Sequence, residues 1–266
     1  MTTLIAWSGV DSRGPSSLYF ASDSRFSWRD EGWLYGKKLF ISKVYPDILA
    51  YCGGVVFPLT ILNQIIENID IGLLYDKKDD FDKKNQKVFN SIKRSFDEYP
   101  VRYREGFHII HGCREGQGMQ SVFYVFKIQY ISSHWKTEKL EIPKKSILIF
   151  RAGSGSNSMK KWNNNWQGSD SKETSRSVFS AFCDSIESND DPYSGGPPQL
   201  AGIYREGNAF NCGIIQNNRR YFNGMPIVDY GNISSVEWRN CLFERCDGET
   251  MNILPKAQRQ PRPWNV

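Results

Sequence analysis

The spacing of apolar positions changes period several times along the chain. Runs of β-branched and aromatic residues predict strands, whereas apolar residues that recur every three or four positions predict helices. Clusters of glycine and proline mark the turns between these segments. In chain order the pattern first predicts strands at 2–8, 17–24, 38–42 and 47–52, followed by helices at 59–69 and 81–99. It then predicts strands at 106–112, 120–131 and 146–152, followed by a helix at 157–166 and another after a capping pair of Asp170 and Glu173. The last predicted elements are strands at 199–205 and 208–216 and a further pair before Cys246.

The order of these elements predicts the fold class. Two helix pairs alternate with groups of strands, which favours two packed, mainly antiparallel sheets with helices on their outer faces. We therefore expect an α+β protein with a four-layer αββα sandwich. Nothing resembles a linker, so residues 1–254 are predicted to form a single domain. Residues 255–266 are proline-rich and basic and are expected to form an irregular tail.

Composition narrows the class of protein. The chain has 266 residues with 8 Trp, 13 Tyr and 16 Phe, which is too aromatic for a disordered chain. The formal net charge is only +5, well below that of a protein that coats nucleic acid. Nucleic acid is therefore not an expected partner.

Cysteine and histidine spacing argues against a metal site. The six cysteines contain no C-x-x-C pair and the three histidines show no ligand spacing, so we expect neither a metal nor another cofactor. The N-terminus lacks the basic region of a signal peptide. Residues 48–66 carry no charge, but glycines, a proline and polar residues interrupt them. The chain is accordingly expected to be cytoplasmic, with no membrane partner.

The second residue offers the clearest catalytic chemistry. Met1 precedes Thr2, and removal of methionine before a small residue would leave threonine at the N-terminus. Such a threonine carries a nucleophile and a base in one residue, because its own α-amine can accept the proton of its hydroxyl. The reference pKa of an α-amine, about 7.7–8.0, suits this task near neutral pH.

Thr2 belongs to a set of six short motifs that occur in a characteristic order. They are Thr2-Thr3, the Ala-Ser-Asp-Ser-Arg run at 21–25, Lys37-Lys38, Cys52-Gly53-Gly54, Gly153-Ser154-Gly155 and the Asp-Pro-Tyr-Ser-Gly-Gly run at 191–196. This set resembles the proteasome β-subunit family and the HslV-type bacterial peptidases, which are N-terminal nucleophile (Ntn) hydrolases. The chain looks like a bacterial-type subunit without a propeptide. The resemblance implies the Ntn-hydrolase version of the αββα sandwich.

The resemblance also implies a role for individual residues. Thr2 would be the nucleophile, Lys38 would lie beside its hydroxyl, and Asp23 would keep that lysine charged. Lys38 is preferred to Lys37 because it directly precedes the apolar pair, as in the family pattern. The remaining implied residues are Ser154, Asp191 and Ser194 around the N-terminal amine, Gly53 as the backbone donor of an oxyanion hole, and Phe26, Ser27, Gly36, Tyr51 and Val55 in the substrate-binding pocket.

The expected function is that of a threonine-type endopeptidase in a self-compartmentalised ring. Its substrate would be a peptide or an unfolded protein, its assembly a homo-oligomeric ring, and its activator an AAA+ ATPase or another partner. Two alternatives remain open at this point. The chain could be an Ntn amidase that acts on a small amide, or a non-catalytic structural ring subunit.

Overall fold

Two large sheets that pack face to face form the centre of the structure. The computed structural model describes residues 2–28, 31–76, 78–259 and 262–263. One sheet has nine strands, the other has five, and two short strands form a separate hairpin. The strands are β1 (Leu4–Asp11), β2 (Gly14–Ser22), β3 (Phe26–Trp28), β4 (Glu31–Trp33), β5 (Leu39–Ile41), β6 (Asp47–Gly53), β7 (Phe107–Glu115), β8 (Val122–Ile131), β9 (His134–Leu140), β10 (Leu148–Ala152), β11 (Gln199–Tyr204), β12 (Phe210–Gln216), β13 (Arg219–Phe222), β14 (Met225–Pro226), β15 (Glu237–Asn240) and β16 (Arg245–Cys246).

The nine-stranded sheet has the path β10-β1-β2-β11-β12-β13-β14, with β15 parallel to β12 and β16 antiparallel to β15. The five-stranded sheet is an antiparallel series of β5 to β9. Alternate residues of the two inner faces form one buried cluster, in which Leu4 and Leu18 of the first sheet join Ile48 and Ile110 of the second. This cluster fixes the ends of β1, β2 and β6 relative to one another.

Four α-helices pack against the sheets: α1 (Val56–Asp70), α2 (Phe81–Glu98), α3 (Ser156–Gln167) and α4 (Ser175–Glu187). Leu62 of α1 and Phe96 of α2 are buried with Ile109 of the five-stranded sheet. Phe179 of α4 is buried with Trp7 of the nine-stranded sheet. Three short 3-10 turns are found at Val101–Tyr103, Gly118–Gln120 and Ile233–Ser235.

The predicted fold class, a four-layer αββα sandwich of the Ntn-hydrolase type, is wrong. The described residues form sixteen strands in three sheets but only four α-helices, so the fold is mainly sheet with a sandwich-like topology. The helices do not cover the far end of the larger sheet. There, a separate cluster that includes Ile215, Ile233, Trp238 and Cys246 contains no residue of the four α-helices.

Short, exposed strands explain part of this error. The side chains of β9 are mostly exposed, so this strand lacks the apolar alternation that would predict it. The hairpin of β3 and β4 contains only three residues in each strand. The predicted capping pair is also wrong, because the N-cap of α4 is Thr174, whose hydroxyl accepts from the backbone N–H of Ser177.

The predicted tail lies partly outside the described residues, at 260–261 and 264–266. Within the described part, Nη1 of Arg262 donates to Oδ1 of Asp184 on α4 at 2.7 Å. The single-domain boundary at residue 254 stays a prediction. Among the described residues, no helix combines the length and the apolar character that a membrane crossing would require.

Candidate active site

Three chain segments bring Thr2, Asp23 and Lys38 together. Thr2 directly precedes the start of β1, and Asp23 follows the end of β2. Because β1 and β2 are antiparallel, with Leu4 opposite Ser22, these two residues lie side by side. Lys38 precedes β5 in the opposing sheet. The site therefore forms where the two sheets meet, and all three residues are buried.

The ammonium of Lys38 uses each of its three donors. Its Nζ donates to Oγ1 of Thr2 at 2.8 Å, to Oδ1 of Asp23 at 2.8 Å, and to the backbone oxygen of Arg25 at 2.6 Å. Three acceptors match the three N–H bonds of a charged lysine. The geometry thus directs one proton of a buried cation at the Thr2 hydroxyl.

The charge of Lys38 results from two opposing effects. Burial lowers the pKa of this ammonium from its ordinary value, and the adjacent Asp23 carboxylate opposes that shift. Both side chains are completely excluded from solvent, where an unpaired charge would be very costly. Nζ of Lys37 lies elsewhere, over the ring of Phe40 at 4.8 Å from the centroid.

Asp23 also connects the segments around the site. Its Oδ1 accepts from the backbone N–H of Thr3 at 3.0 Å, in addition to Lys38. Its Oδ2 accepts from the backbone N–H groups of Arg25 at 3.2 Å and Gly195 at 3.0 Å. One buried carboxylate therefore fixes the first strand, the loop after β2 and the loop before β11.

A chain of hydroxyl and carboxylate groups surrounds the backbone nitrogen of Thr2. This nitrogen donates to Oγ of Ser154 at 3.1 Å, and Ser154 donates to Oδ2 of Asp191 at 2.7 Å. Ser194 donates to the same oxygen at 2.6 Å and lies 2.8 Å from Oγ1 of Thr3. The structure thus brings Ser154, Asp191 and Ser194 together near the backbone nitrogen of Thr2, and their role at a free amine stays a prediction. Met1 lies outside the described residues.

The two glycines beside Ser154 allow this close approach. Gly153 has a φ of +97°, and a Cβ at this position would collide with the backbone oxygen of Thr2. A Cβ on Gly155 would collide with Oγ1 of Thr3 and lie 2.8 Å from Oγ of Ser194. Glycine is therefore required at both positions for steric reasons.

Gly53, the predicted oxyanion donor, ends β6 with a φ of +102°. A Cβ on Gly53 would lie 2.5 Å from the backbone oxygen of Gly106. The backbone N–H of Tyr51 donates to the backbone oxygen of Lys38 at 3.4 Å, which places the end of β6 beside the lysine. Burial raises the pKa of the neighbouring Cys52 thiol to about 12, so Cys52 is not a thiolate nucleophile.

The five predicted substrate-binding residues occupy different environments. Phe26 and Tyr51 are buried, and the ring of Phe26 fills the space beside Gly36, within 2.5 Å of where a Cβ would lie. Oγ of Ser27 accepts from Nε of Arg25 at 3.0 Å. Val55 precedes α1 and borders a cleft of about 200 Å³. Their role in binding substrate stays a prediction.

Gln199 is a site residue that the sequence did not predict. Its buried Nε2 donates to the backbone oxygen of Asp23 at 3.1 Å, to Oγ of Ser24 at 2.9 Å and to the backbone oxygen of Gly36 at 2.8 Å. Its Oε1 accepts from the backbone N–H of Lys38 at 3.0 Å. One amide therefore links the segments that carry Asp23 and Lys38. A single glutamine before an apolar strand carries no sequence signal for this role.

A second polar cluster lies inside the five-stranded sheet. The potential ligand atoms of Asp47, His111 and Cys113 all lie within 4.8 Å of one another. Nε2 of His111 lies only 2.8 Å from Oδ1 of Asp47, and the Tyr75 hydroxyl donates to the same oxygen at 3.0 Å. Burial raises the pKa of the Cys113 thiol well above its ordinary value. A metal would need a thiolate and free lone pairs on these groups, whereas the thiol is neutral and the carboxylate already accepts hydrogen bonds. The cluster is therefore interpreted as a structural hydrogen-bond network.

Comparison with solved structures relates the fold to a known protein. The structure of the Anbu (Gly-1) mutant from Hyphomicrobium sp. strain MC1 superposes with a TM-score of 0.53 and 15% sequence identity. The match covers 84% of this chain and 87% of that chain. At this identity the likeness shows the fold alone.

The sequence comparisons do not support a family. No protein-family profile matches the chain, and no curated protein sequence matches it. The predicted membership of the proteasome β-subunit or HslV-type family is therefore wrong, since the structural likeness is to Anbu. The resemblance rested on short motifs that surround the site, and these are too short to define a family.

Proposed function

We propose that this protein is a threonine hydrolase that cleaves peptide bonds, with Thr2 as its nucleophile after the bond between Met1 and Thr2 has been cut. The observation that carries this proposal is the 2.8 Å hydrogen bond from Nζ of Lys38 to Oγ1 of Thr2, within a buried ion pair with Asp23. A cation that donates to a hydroxyl oxygen stabilises the negative charge that this oxygen acquires when it loses its proton.

The proposed reaction has two steps. First, Oγ1 of Thr2 forms a bond to the substrate carbonyl carbon, and its proton passes to the Thr2 α-amine. The C–N bond of the substrate then breaks, and the leaving amine takes that proton. An ester links Thr2 to the acyl part of the substrate. In the second step water attacks this ester, gives its proton to Thr2, and releases a carboxylic acid.

The environment of the Thr2 nitrogen supports its role as the base. Ser154 and Asp191 form a hydrogen-bonded pair beside this nitrogen, which would orient the amine and stabilise its protonated form. Ser154 is exposed, so a proton and a water molecule can reach this side of the site. The backbone N–H of Gly53 is proposed to stabilise the oxyanion, because Gly53 ends β6 beside the segment that carries Lys38.

The surface beside the site supports a peptide substrate over a small amide. Trp33 of β4 is 49% exposed and Tyr193, in the loop that carries Asp191, is 43% exposed. Half-exposed aromatic side chains beside a nucleophile offer a surface for the side chains of a polymer. A small amide would leave this surface unused.

The test uses protein whose N-terminal residue is shown by intact mass to be Thr2. We expect this protein to hydrolyse short blocked peptides that carry a fluorogenic amide, and an electrophilic peptide to form a covalent adduct on Thr2. Thr2→Ala should abolish both the hydrolysis and the adduct, whereas Thr2→Ser should retain part of each.

Thr60→Ala is the matched control, because it deletes the same hydroxyl and methyl group from an exposed position on α1. Hydrolysis by Thr2→Ala at the rate of the unaltered protein would exclude Thr2 as the nucleophile. Hydrolysis of small amides without any cleavage of peptides would favour the amidase instead. Full activity with Met1 retained would exclude the α-amine as the base.

A further inference from the structure

The hairpin of β3 and β4 has one aromatic face. Phe26 lies opposite Trp33, Ser27 opposite Gly32, and Trp28 opposite Glu31. Side chains alternate between the two faces of a strand, and directly opposed residues share a face. The three aromatic residues therefore lie on the same face of the hairpin.

Phe26 connects this face to the candidate active site. Its ring centroid lies 6.3 Å from that of Trp28 and 5.7 Å from that of Trp33, both edge to face. Nζ of Lys38 lies 5.6 Å from the centroid of the same Phe26 ring. A group that contacts either tryptophan is thus separated by one aromatic ring from the ammonium that donates to Thr2.

The two tryptophans remain accessible. Trp28 is 56% exposed and Trp33 is 49% exposed, whereas Phe26 is only 3% exposed. The two exposed indoles and the buried ring between them form a contiguous apolar surface, and such surfaces mark binding sites. We call this surface, formed by Phe26, Trp28 and Trp33, the aromatic ledge.

The opposite face of the hairpin is polar and holds the ledge in place. The Arg25 guanidinium lies against Gly32, where a Cβ would come within 2.8 Å of its Cζ. Nε of Arg25 donates to Oγ of Ser27 at 3.0 Å. On the other side, Gly196 has a φ of +74° and packs against the backbone of Leu34. The ledge is therefore fixed relative to the loop that carries Asp191.

Local charge favours an uncharged occupant. The positive Arg25 lies on the reverse face of the hairpin, and Glu31 shares the ledge face with the two tryptophans. Among the described residues of the hairpin these opposite charges offset each other, and Lys38 is already paired with Asp23. An aromatic side chain gains stacking and edge contacts on the indoles without losing the hydration of a charge.

We infer that the aromatic ledge is a subsite for an aromatic side chain of the peptide substrate. This inference rests on the proposed function, because it names the substrate class of the same site. Trp28 and Trp33 would determine specificity. Phe26 would hold the two tryptophans in a fixed position relative to Lys38.

The experiment measures binding without turnover, so that it does not depend on hydrolysis. The peptides are pairs of blocked peptide amides, and the two members of a pair differ only in having Phe or Ala at one position. One pair is made for each position of the peptide, and each peptide is titrated into the Thr2→Ala protein by calorimetry. We expect the Phe peptide to bind about tenfold more tightly at one position, which corresponds to one aromatic contact. Trp33→Ala and Trp28→Ala should each reduce this ratio severalfold, and Trp33→Phe should retain most of it.

Tyr230→Ala is the matched control, since it removes an aromatic ring that is 46% exposed and contacts Arg220 rather than the hairpin. In active protein, the tryptophan variants should raise KM for the Phe peptide more than they raise KM for the Ala peptide. Equal binding of the two peptides at every position, or a ratio that the tryptophan variants do not change, would overturn the inference. If the tryptophan variants changed the sedimentation coefficient of the protein but not the affinity ratio of the Phe and Ala peptides, the ledge would be a contact between copies of the chain, and the inference would be overturned. Selective binding by a protein that hydrolyses nothing would refute the proposed function and leave the ledge intact.

Discussion

Nζ of Lys38 lies 2.8 Å from Oγ1 of Thr2, and the lysine side chain is completely buried. The two residues are separated by 36 positions in sequence and come from opposing sheets. The same ammonium also contacts Asp23. Lys38 therefore contributes to catalysis through Thr2 and to stability through Asp23, and mutations of the two partners can separate these contributions.

Lys38→Met should abolish hydrolysis and also lower the free energy of unfolding by about 3–5 kcal/mol, since it leaves the buried Asp23 carboxylate without its cation. The double variant Asp23→Asn with Lys38→Met removes both charges and should recover most of that stability while staying inactive. Denaturant titration and a peptide assay on the same samples would check both effects. A stable double variant that hydrolyses peptides at the original rate would remove Lys38 from the mechanism.

Gly155→Ala should inactivate the protein, because the new methyl group would collide with Oγ1 of Thr3 and crowd Oγ of Ser194. The backbone of Gly155 has a φ of −77°, so the effect would come from space alone and not from backbone strain. Gly231→Ala is the control, since nothing lies within 4 Å of a Cβ at that position. Peptide hydrolysis and far-UV circular dichroism would be compared, and an active Gly155→Ala protein would show that the Thr3–Ser194 contact is dispensable.

Gln199→Leu should lower the free energy of unfolding by roughly 2–4 kcal/mol, because it leaves buried backbone groups of Asp23, Gly36 and Lys38 without their partner. It should also reduce kcat more than it raises KM, since it releases the segment that positions Lys38. Gln216→Leu, which loses one exposed hydrogen bond to Glu187, should change stability by less than about 0.5 kcal/mol. Equal effects of the two substitutions would argue against a positioning role for Gln199.

The pH dependence of kcat/KM should be bell-shaped. Activity should rise with pH as the Thr2 α-amine loses its proton, because only the neutral amine can act as base. It should fall at high pH as Lys38 loses its proton, and burial places this limb below the ordinary lysine value of 10.5. In Lys38→Arg the alkaline limb should move to higher pH, because a guanidinium stays protonated. An alkaline limb that this substitution leaves in place would belong to another group.

The ring assembly stays a prediction, because nothing in the described structure tests it. Native mass spectrometry at micromolar concentration should show a species far above the 30.7 kDa of one chain. Large apolar side chains that are mostly exposed, such as Ile71, Leu73 and Val101, provide the physical reason, since oligomer contacts bury such groups. A monomer with full peptidase activity would show that assembly is not needed for the chemistry.

Local patterns were sufficient to predict most elements and to single out Thr2, Asp23 and Lys38, which the structure brings into contact. The helix at Phe81–Glu98 and the strand at Asp47–Gly53 agree with their predicted positions, because their apolar periodicity reflects burial on one face. The Gly-Ser-Gly run at 153–155 was recognisable because only glycine tolerates the close approach to Thr2 and Thr3 that the structure contains.

The tertiary structure decided what no local pattern encodes. Gln199 joins three distant segments through one amide, and its role depends on contacts across more than 160 residues. Trp28 and Trp33 acquired a common face only through the register of three residue pairs in a short hairpin. The fold class was wrong because β9 is mostly exposed and the strands beyond β12 contain only two to four residues each, too few to show an apolar period, so hydrogen bonds to neighbouring strands define them. Sequence periodicity reports burial, whereas strand pairing and the meeting of distant side chains depend on how the whole chain packs.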